Sequence, residues 1–427
     1  MAITQQFNTE PEEFMPVYNR IEVELEETDA GDLANTNYHY WIEVETETLG
    51  TETFTVPPDP NGYGYFDAGQ ILEGFIEEKI AQFNSTGGYV FALERPIIRY
   101  RINVYQSWDV SGELTQDPDT EGAIQTSWAY AWSGSFSHHD WTDQINLASP
   151  FNTWLANTTN GTDAEFLTNY KTPKVSINDL GWLWVITDTP TDLDQIAIRT
   201  YEEDGTPIAS FVVDTGVSQA VTASRFLSVA AAPQSLNNIA GGLFNSGSQP
   251  VITSSVSYYE IYLRNTVNTA CTETITFTIE EPCDNYTSYR LHFLNELGGF
   301  DAYTFEGRNR RKRNITRNSY LRTEPNVGAS GLTWKHEDNG KQDYYVKAGE
   351  QISLKSDYLD DNEWEWLREL VESPQVYLEF DDGNSVRNFK PVRILSTNWQ
   401  DNVLHLDKLF RLEIDIELAN EDFRQRR

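Results

Sequence analysis

Positive charge is what this chain has least of. Its 427 residues carry 31 Lys and Arg against 66 Asp and Glu, a formal net charge of −35. A surface so acidic repels DNA and anionic lipid over most of its area, so nucleic acid is not an expected partner. Long apolar runs are missing too, and none reaches the roughly 18 residues a bilayer-crossing helix needs. Residues 1–16, MAITQQFNTEPEEFMP, hold neither a basic nor an apolar stretch, so no standard secretory signal is expected. Cysteine is limited to Cys271 and Cys283. The TETITFTIE between them reads as one extended strand. Twelve residues of strand span roughly 40 Å, beyond disulfide reach. Two reduced thiols fit a chain assembled inside a cell.

The chemistry of catalysis is equally sparse. There is no H-E-x-x-H, no G-x-S-x-G, no phosphate-binding loop and no G-x-G-x-x-G opening a helix. His138 and His139 form one adjacent pair, followed by Asp140. Neighbouring residues of a strand point to opposite faces, so the pair is not assigned to a metal. Carboxylates are too abundant for an acid/base pair to stand out. No catalytic residue, metal or cofactor is assigned, and the chain is not expected to be an enzyme. Asn-x-Ser/Thr triplets at Asn157, Asn285 and Asn314 arise readily in a chain rich in Asn and Thr.

What is present is β-forming. Thr, Tyr, Phe, Trp, Val and Ile abound, with Gly, Asn and Asp turn signals at intervals. The expected fold class is mainly β: two or three β-sandwich-like domains with two short amphipathic helices. We expect an N-terminal β domain over 1–115, a middle sandwich or jelly-roll-like region over 116–283, and a C-terminal β domain over 284–427. IEVELEE (21–27) and YHYWIEVETET (38–48) alternate as half-buried strands do. The first helix is expected over 68–83, after Asp67 as N-cap, with Ile71, Leu72, Phe75, Ile76, Ile80 and Phe83 on one face. The second is expected over 361–373, with Asp360 and Glu363 at capping-box spacing. Gly62-Tyr63-Gly64 reads as a turn. Gly298-Gly299, inside an apolar run, implies a positive φ or a close backbone approach. Residues 235–250 read as a surface loop. The alternation from Phe410 to Leu418 places Ile414 and Ile416 on a buried face.

Two clusters are candidate binding residues. Residues 123–141 read as a strand carrying Trp128, Tyr130 and Trp132 on one face. They are either large core residues or a platform for glycan binding. The second cluster contradicts the charge of its own chain. Residues 308–317, RNRRKRNITR, hold Arg308, Arg310, Arg311, Lys312, Arg313 and Arg317. A dense basic block in an acidic protein suits pairing with an acidic surface of another subunit, because the planar guanidinium binds carboxylates in two-point fashion. It also suits a merely solvated face.

Three segments together resemble structural virion proteins of tailed bacteriophages, particularly phages of Bacteroidetes hosts, including crAss-like phages. They are FTVPPDPNGYGYFDAGQILEGFI (54–76), CDNYTSYRLHFLNELGGFDAYTFEG (283–307) and SDYLDDNEWEWLRELVESPQVYLE (356–379). The second is the most distinctive. The resemblance implies a tail, neck or baseplate component forming a homo-oligomeric ring with other virion structural proteins as partners. The expected location is the virion, assembled in the host cytoplasm. A carbohydrate-binding adhesion module is the second reading, and a polysaccharide-degrading enzyme the third.

Overall fold

The computed structural model describes residues 5–77, 90–93, 95–110, 113–116, 123–189, 193–214, 225–237, 250–281, 286–322, 326–333, 340–381, 387–395, 411–420 and 422–423. The protein is mainly β, built of sandwich-like sheets with a few short helices. Two compact units form: one of residues 1–280 and 295–301, the other of residues 281–294 and 302–427.

In the first unit the fourteen-residue strand Ile97–Val110 is the hub. It pairs antiparallel with His39–Thr46 on one side and with Ala129–Trp132 and Ile124–Gln125 on the other. Alternation dictates which side chains enter the core. Tyr40, Ile42 and Val44 of one strand and Tyr100, Ile102 and Val104 of the other are fully buried. Each such side chain contributes about 1.5–3 kcal/mol over its exposed state. Five further strands form a second sheet, in which Gln195–Tyr201 lies between Pro207–Asp214 and Tyr258–Arg264. Val90–Leu93 joins Phe226–Ala230 and Trp182–Ile186 in a third, so segments on both sides of residue 116 share one sheet.

A smaller sheet places Glu22–Glu27 between Gln5–Thr9 and Tyr63–Asp67. Val23, Leu25 and Glu27 point inward. The buried Glu27 carboxylate is satisfied by Tyr38 Oη at 3.2 Å, Gln106 Nε2 at 2.8 Å and the Asp29 amide at 2.8 Å. Burial next to this carboxylate pushes the Tyr38 hydroxyl well above its ordinary value. The Gly62-Tyr63-Gly64 motif is both turn and strand start. Gly62 sits at φ +93°, and a Cβ on Gly64 would lie 2.6 Å from the Tyr40 ring.

Three expectations are corrected. Of the helix expected over 68–83, the described residues are helical only over 69–75. Ile76 turns extended (ψ 139°), and the Glu77 amide then donates to the Arg95 carbonyl at 3.2 Å. Glycines at 69 and 74 weaken the helix against that alternative. Residues 78–83 and Gly87-Gly88 lie outside the described residues. The aromatic stretch 123–141 is not one strand: after Ala129–Trp132 it breaks, and a helix runs His138–Ile145. Its signal was Ser137, whose side chain accepts from the Asp140 amide as an N-cap. The segment after Cys271 is strand only over Ile275–Ile279. The Cys271 side chain is buried, and its Sγ donates to the Thr269 carbonyl at 3.5 Å. Cys283 and most of the 235–250 loop lie outside the described residues.

The second unit holds an eight-stranded sheet. Asp361–Glu372 is the expected second helix, and its capping box is complete: Asp360 accepts from the Glu363 amide at 2.8 Å, and Glu363 accepts from the Asp360 amide at 3.2 Å. In the strand Glu413–Leu418, Ile414 and Ile416 are buried as the alternation requires. Phe410 lies outside the described residues.

Candidate functional site

Among the described residues the basic block folds as an edge strand. Residues Arg310–Arg322 run antiparallel to the sixteen-residue strand Gly340–Lys355 in register from Arg310 opposite Ser353 to Arg322 opposite Gly340. The longer strand is two things in sequence. Its end, Gln351–Lys355, pairs on its other side with Glu413–Glu417, and Ile352 and Leu354 are buried there. Lys347 and Ala348 meet the short strand Asp422–Phe423. From Gly340 to Val346 the only ladder partner among the described residues is the basic strand. Among the described residues the pair therefore leaves the sheet as a two-stranded ribbon, and in sequence the small hairpin Asn326–Gly328 and Gly331–Thr333 lies between its two strands.

Burial ends where the sheet ends. Arg308, Arg310, Arg311, Lys312, Arg313 and Arg317 are all exposed. Alternation divides the strand between two faces. On one, Arg311 Nε donates to Glu350 Oε1 at 2.8 Å while its Nη2 meets the same oxygen, and Arg313 lies 3.9 Å from the other carboxylate oxygen. Arg317 reaches Asp343 at 2.8 Å. The hydrogen bonds that Arg311 donates to Glu350 raise its pKa further above its ordinary value. On the other face, Arg310 and Lys312 make none of these pairs.

Sequence reasoning missed the ribbon's apolar side chains. Ile315, Tyr320, Leu321, Leu332 and Tyr344 are all exposed, between 43% and 65%. The Tyr320 and Tyr344 rings lie 6.2 Å apart. Ile315 stands in the sequence between Arg313 and Arg317, and Leu321 four residues after Arg317, so the signal was present but masked by the surrounding charge. Residues 308–350 hold ten Lys and Arg and five Asp and Glu, a net +5 in a chain of −35.

The aromatic cluster is divided by the structure. Trp132 is 1% exposed, its Nε1 donates to the Leu297 carbonyl at 3.2 Å, and it packs among Phe136, Phe151 and Trp154. It is a core residue and not part of a surface platform, because the chain after it folds back over its ring. Trp128 and Tyr130 stay half-buried and adjacent, but arginines already lie against them. Arg99 and Arg101 sit 4.9 and 4.8 Å from the Trp128 centroid, and Arg225 sits 5.6 Å from that of Tyr130. Phe14 stacks on Tyr130 at 4.9 Å. His138 and His139 open an exposed helix, where His139 Nδ1 lies 3.4 Å from Asp143. Among the described residues no group of three or more His, Cys, Asp or Glu is placed to hold a metal ion, and no helix is long and apolar enough to cross a membrane.

No protein-family model and no curated protein sequence matches the chain. Among solved structures it is similar to extracellular domains 3–5 of Drosophila OTK, at 11% identity and TM-score 0.21, covering 82% of this chain and 93% of that one. It is also similar to the tetra-tandem repeat in the extending region of a large adhesion protein, at 9% identity and TM-score 0.19, covering 96% and 89%. Likenesses at these scores leave function to be argued from the chain's own residues.

Proposed function

We propose that this chain is a non-catalytic structural subunit of a tailed-phage virion. It forms a ring, neck or tail-tip assembly in the host cytoplasm through contacts with copies of itself and with other virion proteins. The ribbon carries this reading. It is cationic in a chain of opposite charge, and it gathers five large exposed apolar side chains. Such side chains on one exposed element mark contact sites. The three blocks that resemble phage structural proteins support the same class. Arg311, Arg313 and Arg317 already meet carboxylates of their own ribbon, which suits a protein partner better than phosphate. A carbohydrate-binding module is the second reading, supported by half-buried Trp128 and Tyr130. Their arginine neighbours occupy space where a sugar would stack.

Native mass measurement and particle imaging of the purified chain test the assignment, with a closed ring as the expected result. Charge reversal at Arg310, Arg311 and Arg313 should abolish assembly and leave each protomer folded, although the ion pairs of Arg311 and Arg313 with Glu350 are lost. Normal assembly of that variant would reduce the ribbon to a solvated face. Binding on a glycan array by a chain that stays monomeric would favour the second reading.

A further inference from the structure

A basic ribbon needs an acidic counterpart, and one sheet of the first unit has its complement. The strands Gln5–Thr9, Glu22–Glu27 and Tyr63–Asp67 hold five carboxylates and no Lys or Arg. Alternation turns Glu22, Glu24 and Glu26 outward. Glu24 is met by Asn8 Nδ2 at 2.5 Å and Thr9 Oγ1 at 3.4 Å, and Glu26 by Gln6 Nε2 at 2.7 Å and Tyr63 Oη at 3.4 Å. All four are neutral donors, so Glu24 and Glu26 keep their negative charge uncompensated, whereas Glu22 has Arg20 Nη1 at 3.4 Å. The uncompensated charge is felt next door. Tyr65, 60% exposed, hydrogen-bonds to Glu24 and has its hydroxyl pushed up to about 12. A cleft of about 370 Å³ opens beside Glu22, Glu24, Tyr65 and Gln70, with the chain's own Arg20 at its Glu22 end, and has room for the stem of a lysine or arginine beside Glu24.

The two ladders match in pitch. Alternate residues of a strand repeat every roughly 6.5–7 Å. Arg310 and Lys312 stand at that spacing on the ribbon face away from Glu350, and Glu22, Glu24 and Glu26 stand at the same spacing on the sheet. We infer that the ribbon of one copy docks on the Gln5–Thr9, Glu22–Glu27, Tyr63–Asp67 sheet of a second copy, Arg310 and Lys312 facing Glu24 and Glu26. This rests on the assembly reading above and names its receptor. The contact is head-to-tail: each copy offers a ribbon and a sheet, and such contacts close into rings when the rotation between copies allows.

A charge swap tests it on the full chain by sedimentation velocity at low salt. R310E/K312E should not self-associate, because its ribbon repels the sheet. E24K/E26K should not either, because its sheet repels the ribbon. A one-to-one mixture should associate again, since each remaining contact then joins opposite charges. Each single variant should be at least about tenfold weaker than wild type, and the mixture's association should fall as salt rises. Should E24K/E26K fail to fold, E24Q/E26Q keeps the acceptors for Asn8 and Gln6 and should still weaken association. If R310E/K312E is monomeric, E24K/E26K and E24Q/E26Q assemble normally and mixing restores nothing, the receptor lies elsewhere and only this inference falls. If the wild-type chain stays monomeric, the assembly reading falls with it. If that monomer instead captures a labelled DNA duplex through the ribbon, nucleic acid replaces the second copy as occupant.

Discussion

The strands Ile97–Val110 and Arg310–Arg322 are nearly equal in length, fourteen and thirteen residues, and have opposite surroundings. The first has ladder partners on both sides and buries Tyr100, Ile102 and Val104 completely. The second has one neighbour among the described strands and is exposed along its described side chains. Backbone pairing alone therefore does not require a core. In the hub, apolar burial accounts for the strand's existence. In the ribbon, thirteen pairings, cross-strand ion pairs and the anchored end of the longer strand hold the same geometry with almost no burial. A strand that stability does not explain by packing invites an explanation by contact.

The largest test of this contrast is Ile102→Asp. A charge without a partner in a fully apolar site should cost about 3–5 kcal/mol in urea denaturation. A loss below about 1 kcal/mol would mean the hub is not the core. Next comes Ile416→Ala, at the root of the ribbon, where Ile416 is fully buried opposite Ile352. It should cost about 2–5 kcal/mol and act on the second unit. Hydrogen exchange sharpens the comparison within one strand. Amides over 351–355 should exchange at least about 100-fold more slowly than those over 340–346. Equal rates would mean that the ribbon is held as firmly as the sheet.

Smaller effects follow. The Glu45 carboxyl is held below its ordinary range, chiefly by its hydrogen bond from Arg101 on the hub strand. A depressed folded pKa gives stability that is present above the unfolded value of about 4.3 and is lost as pH falls through the folded one. Both side chains are about a third exposed, so Glu45→Gln should cost less than about 1 kcal/mol at pH 7. The gap from wild type should vanish in acid. Ile315→Ser on the ribbon is the smallest, within about 0.5 kcal/mol, because the side chain is already exposed. The same substitution should nevertheless weaken association if the ribbon is a contact site.

Where one residue type forces one geometry, the sequence could be read. Gly298 stands at φ +90°, and a Cβ on Gly299 would lie 2.8 Å from the Leu167 carbonyl, so both halves of the Gly-Gly expectation hold. The Asp360–Glu363 capping box and the buried Ile414 and Ile416 were legible for the same reason. The ribbon was not, because strand periodicity shows itself through apolar against polar residues, and Arg310–Arg313 are cations on both faces. Trp132 could not be told from Trp128 either. Both share a strand parity, and what separates them is the chain from Gly134 to Trp154 folding back over one ring. That is tertiary information. The helix His138–Ile145 had a readable cap at Ser137, overridden by the aromatic stretch before it.

The outer side of Arg310–Arg322 has a consequence for aggregation. An unpaired strand edge offers its N–H and C=O groups to any extended chain that passes, including its own twin. Here two such edges brought together in parallel register, as in an amyloid-like stack, would set Arg310, Arg311, Lys312 and Arg313 of one molecule against the same four of another, and like charges facing across a strand pair oppose pairing. The edge thus rejects its twin while remaining open to strands of the opposite sign. At high concentration the protein can in this way keep a sticky edge exposed and still avoid amyloid-like stacking.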